Sequence, residues 1–173
     1  MESLEERISR LESIEAIRYL QAKYQRCLDT RDFDGLDACF DDNVVSAYDN
    51  GKISYKGKAE VLGFLKKVMT EHMPSTHLIH GGEIDIISPT SAKAKWYLED
   101  FLLHRIFWVK LHGAAIYDVE YVKDDSSWKI KTIGYTRCYQ YFEHRGLLNL
   151  LTLGKTSFLD AYKKLKKHNQ DSI

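Results

Sequence analysis

The residues whose types and spacing bear on chemistry begin in the run 92–103. Ala92, Ala94, Trp96, Leu98, Asp100 and Leu102 form one alternating set, and Lys93, Lys95, Tyr97 and Glu99 open the other. Successive side chains on a strand point to opposite faces, so the first set is assigned to the core and the lysines to water. Asp100 therefore falls on the apolar face. An ionised carboxylate there is costly unless a cation or hydrogen-bond donor meets it, so a buried partner is expected. The competing reading is a bulge or register change that turns Asp100 outward beside Glu99.

A partner for Asp100 is sought one strand earlier, in STHLIHGG (75–82). Strict alternation from Ile84 and Ile86 puts His80 on the inner face. Adjacent glycines such as Gly81 and Gly82 commonly mark a β-bulge, and one extra residue there would turn His77 inward instead. Alternation alone leaves both open. An inward histidine opposite an inward aspartate is an acid/base element, because the carboxylate orients the imidazole and fixes its tautomer. The alternative for a lone strand histidine is a purely structural role. Arg137 interrupts the alternating stripe Ile133, Tyr135, Tyr139 and Tyr141, and either recognises a ligand oxygen or neutralises a buried acid. Tyr24 lies on an apolar helical stripe with Leu20 and Cys27, where it packs in the core or turns its hydroxyl into a cavity. Asp29 falls off that stripe and faces a pocket only if the helix ends or bends at Leu28.

These residues need elements to hold them. Leu4, Ile8, Leu11, Ile14, Ile17, Leu20, Tyr24, Cys27 and Leu28 recur every three or four positions, which predicts a helix over 3–30. Asp32 and Asp34 are N-cap candidates for a short second helix through Leu36, Cys39 and Phe40. Segments 44–48 and 52–55 flank Asp49-Asn50-Gly51 and predict a hairpin, since Asn-Gly supplies the positive φ angles of a tight turn. Helical spacing returns over 58–70 and is barred beyond Pro74. The runs 76–88, 91–109 and 111–142 are rich in β-branched and aromatic residues and read as four long antiparallel strands. The order is that of an α+β domain, with helices packed on one face of a strongly curved sheet.

Composition narrows the chemistry. The 173 residues fit one domain, and 25 basic residues balance 25 acidic ones, which removes the electrostatic case for nucleic acid or an anionic membrane as main partner. No apolar stretch approaches a membrane span or a secretory h-region, so a cytoplasmic chain is expected. Cys27, Cys39 and Cys138 are odd in number and lack a CxxC pair, which argues for small buried apolar residues rather than disulfides or a zinc site. No phosphate loop, dinucleotide glycine motif, nucleophile elbow or histidine-rich metal site occurs, and His77 and His80 have poor metal spacing.

The segments IEAIRYLQAKYQRCLDTRDFDGL, YDNGKISY, THLIHGGEIDI, KWYLEDFL and GYTRCYQYFEH together resemble the SnoaL-like branch of the NTF2-like superfamily, and within it the dehydratases of bile-acid-like steroids and of scytalone. The likeness spans about residues 14–144. It implies a cone of curved antiparallel sheet closed by N-terminal helices around a cofactor-free small-molecule site. It also implies a cofactor-independent hydro-lyase acting on a hydroxylated, carbonyl-activated steroid, and a homotrimer. Residue by residue it points to Tyr24, Asp29, His77, Asp100 and Arg137 as the catalytic set, favouring His77 over His80 and restoring Asp29. In the expected chemistry His77, oriented by Asp100, moves the proton. Tyr24 bonds the carbonyl or leaving group, and Asp29 and Arg137 position these groups or the substrate. Rivals are proton transfer without loss of water, as in ketosteroid isomerases and polyketide cyclases, and a non-catalytic binding or assembly module. The leucine-rich segment 145–173 departs from the family pattern and is expected to cover the cone or an interface.

Overall fold

The helix predicted at the N-terminus forms as α1 (Leu4–Thr30), started by a capping box in which Ser3 Oγ accepts from Glu6 N at 3.1 Å and Glu6 Oε2 accepts from Ser3 N at 2.7 Å. The computed structural model describes residues 2–124, 127–144 and the backbone of 148–153. The expected stripe is only partly covered. Leu4, Ile8 and Leu11 stand in solvent, and burial begins at Ser13 and Ile17. Helical spacing gives the apolar face of a helix but not the length over which the rest of the protein reaches it.

Next come α2 (Phe33–Cys39), capped by Asp32 Oδ1 on Gly35 N at 2.9 Å, the hairpin of β1 (Phe40–Tyr48) and β2 (Ile53–Lys56), and α3 (Lys58–Val68). The hairpin turn carries positive φ at Asp49, Asn50 and Gly51, as its Asn-Gly signal requires. Four long strands follow: β3 (Ser75–Ser88), β4 (Ser91–His104), β5 (Val109–Lys123) and β6 (Trp128–His144). The expected strand 91–109 breaks at residues 105–108 into the turn joining β4 and β5.

The sheet is curved and open, in the order β2-β1-β6-β5-β4-β3, with β7 (Leu148–Leu153) pairing β6 off this path. Its long strands are antiparallel as expected, but β1 runs parallel to β6, so the sheet is mixed. Alternation predicts faces, not the direction of a non-sequential pairing. Helix α1 packs against β3 and β6, and α3 packs against β1. A buried hydrogen-bond chain fastens α1 to the sheet: Trp96 Nε1 donates to Tyr121 Oη at 3.0 Å, and that hydroxyl donates to Gln21 Oε1 at 2.6 Å. Cys27 and Cys39 are buried as expected. Cys138 is exposed, on the bulge where Arg137 and Tyr139 face consecutive alanines of β5. The covering role expected of the leucine-rich segment 145–173 lies outside the described residues, apart from the β7 backbone.

Among the described residues no helix is long and apolar enough to cross a membrane.

Candidate active site

The inner face of β4 carries Ala92, Ala94, Trp96, Leu98 and Asp100 in the predicted alternation, and all five are buried. Asp100 has the partner that its burial demands. Both carboxylate oxygens accept from Arg137, Oδ1 from Nη1 and Oδ2 from Nη2, each at 2.6 Å. The guanidinium also lies 4.8 Å over the Tyr135 ring. Burial disfavours the charge on Arg137, but the hydrogen bonds and charge of Asp100 outweigh it and hold the guanidinium more firmly protonated than usual. Of the two roles open to Arg137, the structure shows the neutralising one.

Two local features make room for this pair. Gly113 faces Asp100 across β4 and β5, and a Cβ there would sit 2.9 Å from Tyr139 O, 3.0 Å from Arg137 Nη1 and 3.2 Å from Asp100 Oδ1. The bulge at Cys138 also interrupts the β5–β6 ladder beside Arg137, whose N–H donates to Asn50 Oδ1 at 3.0 Å. Asn50, legible in the sequence as a turn residue, thus anchors β6 where Arg137 leaves it.

The choice between His77 and His80 is decided by the glycine bulge. Pairing of β3 with β4 slips between His80 and Gly82, and Gly81 takes φ +33°, so the two faces exchange. His77 comes to the same face as Ile84 and Ile86, directly opposite Asp100. His80 points outward, 3.8 Å from Glu99, which is itself 2.8 Å from His112.

His77 faces Asp100 but does not bond it, and this corrects the expected dyad. Arg137 occupies the Asp100 carboxylate, and the acid that orients His77 is Asp29. Asp29 Oδ1 lies 2.6 Å from His77 Nδ1 and accepts from Ser75 Oγ at 2.8 Å, while Oδ2 accepts from the His77 backbone N–H at 2.9 Å. That N–H is free for a side chain because β3 is the edge of the sheet. The helix does not end at Leu28 but runs on to Thr30; Asp29 lies in its last turn, closed by Arg31 in the left-handed conformation at φ 60°. Arg31 Nε donates to Thr70 O at 3.0 Å and Nη1 to Asp29 O at 3.2 Å, tying the helix end to the loop that leads into β3.

Burial alone would raise the Asp29 pKa, but the hydrogen bonds and charge of His77, with the bond from Ser75, more than offset it and leave Asp29 below its ordinary 3.8. At neutral pH the carboxylate is ionised, so the Nδ1 contact requires the proton on Nδ1. The lone pair then resides on Nε2, the position from which a neutral histidine acts as a base.

Tyr24 is fully buried, and its hydroxyl makes no hydrogen bond among the described residues. Burial first, then the neighbouring phenols of Tyr48 and Tyr117, raise its pKa well above 10.0. It is therefore an O–H donor, not a phenolate. The buried Tyr48 hydroxyl likewise makes no hydrogen bond of normal geometry among the described residues. Its ring lies 6.0 Å from Tyr135, which meets Tyr117 edge-on at 5.9 Å and touches Arg137. A run of phenols thus leads from Tyr24 to the Asp100–Arg137 pair. Sequence reasoning missed Ser75, Tyr48, Asn50 and Gly113. Ser75 alone had a usable signal, being two residues before His77 and so on its face. Among the described residues no group of three histidine, cysteine, aspartate or glutamate side chains is placed to hold a metal ion.

The fold has solved counterparts. A candidate scytalone dehydratase from Novosphingobium aromaticivorans DSM 12444 superposes with TM-score 0.73 at 20% identity, over 79% of this chain and 91% of that one. The hexachlorocyclohexane dehydrochlorinase LinA-type3 from Novosphingobium barchaimii LL02 gives TM-score 0.70 at 19% identity, over 84% and 98%. ActVI-ORFA from Streptomyces coelicolor gives 0.61 at 15%, over 72% and 96%. At these identities the likeness is one of fold. The family model described as a SnoaL-like domain matches residues 9–133, more than half of the sequence, and the chain belongs to that SnoaL-like family.

Proposed function

We propose that this protein is a cofactor-independent hydro-lyase that eliminates water from a hydroxylated, carbonyl-activated steroid of bile-acid type, as free acid or thioester. The observation that carries the reading is the 2.6 Å contact of Asp29 with His77 Nδ1, which leaves Nε2 free to act as a base. Elimination is also the chemistry named for two of the structural neighbours, a dehydratase and a dehydrochlorinase.

The steps balance. His77 Nε2 takes a carbon-bound proton next to the conjugated system, and the C–H electron pair moves into the enone, whose oxygen gains charge. Tyr24 donates its O–H to that oxygen, a bond that strengthens as the charge develops. The electrons then return, the C–O bond to the leaving hydroxyl breaks, and the imidazolium proton leaves with it as water. One proton has moved from carbon to oxygen, His77 is neutral again, and the carbonyl has stored the electrons throughout. Proton transfer by His77 contributes about 10²–10⁴ in rate, and Asp29 steadies the imidazolium that forms. Asp100 and Arg137, already paired, shape the wall and field of the site.

A 7α-hydroxy-3-oxo-4-ene steroid tests this. Elimination yields a longer-wavelength dienone absorbance with loss of one water by mass, and His77→Ala removes it. A product of unchanged mass would favour the isomerase-like rival. No product, together with a solidly filled interior, would favour a binding module.

We also propose association with further copies of the chain, as a trimer. Leu78, Tyr97, Phe101 and Tyr139 stand exposed on the outer face of β3–β6, next to a half of that face where Lys93–Glu120 and Lys95–Asp118 ion pairs mark solvent. Light scattering would give three times the 20.1 kDa chain mass if so, and the single mass if not.

A further inference from the structure

The acid that orients His77 is itself held by a residue with no role in the reaction. Ser75 and His77 lie two apart on edge strand β3 and so share a face. Their donors converge on one atom: Ser75 Oγ at 2.8 Å and His77 Nδ1 at 2.6 Å both meet Asp29 Oδ1, while the His77 N–H takes Oδ2. The His77 bonds alone would let the carboxylate swing about its contact with the strand. A third donor, from the same strand and on the shared oxygen, fixes its plane. It also withdraws electron density from the oxygen that holds the imidazole proton.

We propose that Ser75 is a positioning residue: its hydroxyl sets both the orientation of the Asp29 carboxylate and the strength with which that carboxylate holds the proton on His77. The inference deepens the proposed function and rests on it only for the kinetic part of its test. Other charged groups near the pair are accounted for. Arg31, from the end of α1, bonds the Asp29 carbonyl and not the carboxylate. Asp100 of β4, opposite His77, is taken by Arg137 of β6. Ser75 is thus the one donor besides His77 on the Asp29 carboxylate among the described residues.

Ser75→Ala and Ser75→Thr separate this from a packing role, since threonine keeps the hydroxyl. With Oδ1 left to His77 alone, the carboxylate holds the Nδ1 proton more tightly and favours the imidazolium. In Ser75→Ala the acidic limb of the kcat/KM profile is expected to move to higher pH by about 0.4–1 unit, and kcat to fall about 2- to 10-fold with KM little changed. The downfield proton resonance of the His77 Nδ1–H, read by NMR on the unliganded protein, is expected to shift in Ser75→Ala and to return in Ser75→Thr. An unmoved resonance and an unmoved limb in Ser75→Ala would overturn the inference, as would a threonine variant that behaves like alanine. A resonance that shifts in a protein inactive on every steroid tried would leave the role of Ser75 standing and sink the proposed function instead.

Discussion

Removing the Asp100 carboxylate should cost more stability than any other single truncation in the site. Arg137 is only 6% exposed and Asp100 only 2%. In Asp100→Ala a guanidinium that cannot release its proton loses both charged acceptors and stays shut away from water. Breaking a buried pair in this way costs about 3–5 kcal/mol. For a chain of this size each kcal/mol lowers Tm by about 2–4 °C, so a drop of about 6–20 °C is expected. Arg137→Met in the same background removes the stranded charge, and the double variant should melt above Asp100→Ala, because an apolar side chain of similar length tolerates the site. Thermal melts and urea midpoints of the wild type, two single variants and the double variant complete the cycle. A Tm for Asp100→Ala within about 2 °C of wild type, or a double variant as unstable as the sum of the singles, would refute the claim that the charges depend on each other.

Three further outcomes follow from the same geometry. The Asp29 pKa is lowered by folding, so its contribution to stability is complete above the ordinary 3.8 and is lost as pH falls through the lower folded value. Urea unfolding should therefore show the gap between wild type and Asp29→Asn closing below about pH 4, and a gap independent of pH would contradict the assignment. Gly113→Ala pushes a methyl against Tyr139 O and Arg137 Nη1 and should destabilise by about 1–3 kcal/mol in the same unfolding assay, a neutral result showing that the pair has room to spare. In the proposed reaction Tyr24 is a donor to the developing oxyanion, so Tyr24→Phe should lower kcat about 10²-fold, whereas a change in KM alone would make Tyr24 a binding residue only.

What could be read beforehand divides along physical lines. Alternation placed Asp100 on the inner face and demanded a partner, because period-2 geometry and the cost of a buried charge are local facts. The glycine pair at 81–82 signalled a bulge, and the bulge turned His77 inward. The identity of each partner was not local. Three residues able to meet Asp100 or His77 reach the site from α1, β3 and β6, and no spacing within one segment reports that β6 brings Arg137 to Asp100 first. Asp29 was hardest: its helical angle pointed away from the stripe, the family likeness alone brought it into the set, and its partner came only from the packing of the helix end on an edge strand with spare N–H groups. The parallel contact of β1 with β6 and the uncovered start of α1 were hidden for the same reason, since each depends on distant chain.

The central claim is that Asp29, not Asp100, governs the imidazole that moves the proton. The most direct measurement is the kcat/KM of Asp29→Asn for conversion of a 7α-hydroxy-3-oxo-4-ene steroid to its dienone. The amide removes the ionised acceptor that keeps the proton on Nδ1, and the rate should fall about 10²–10⁴-fold with the protein still folded. A folded Asp29→Asn variant that forms dienone at the wild-type rate would contradict it.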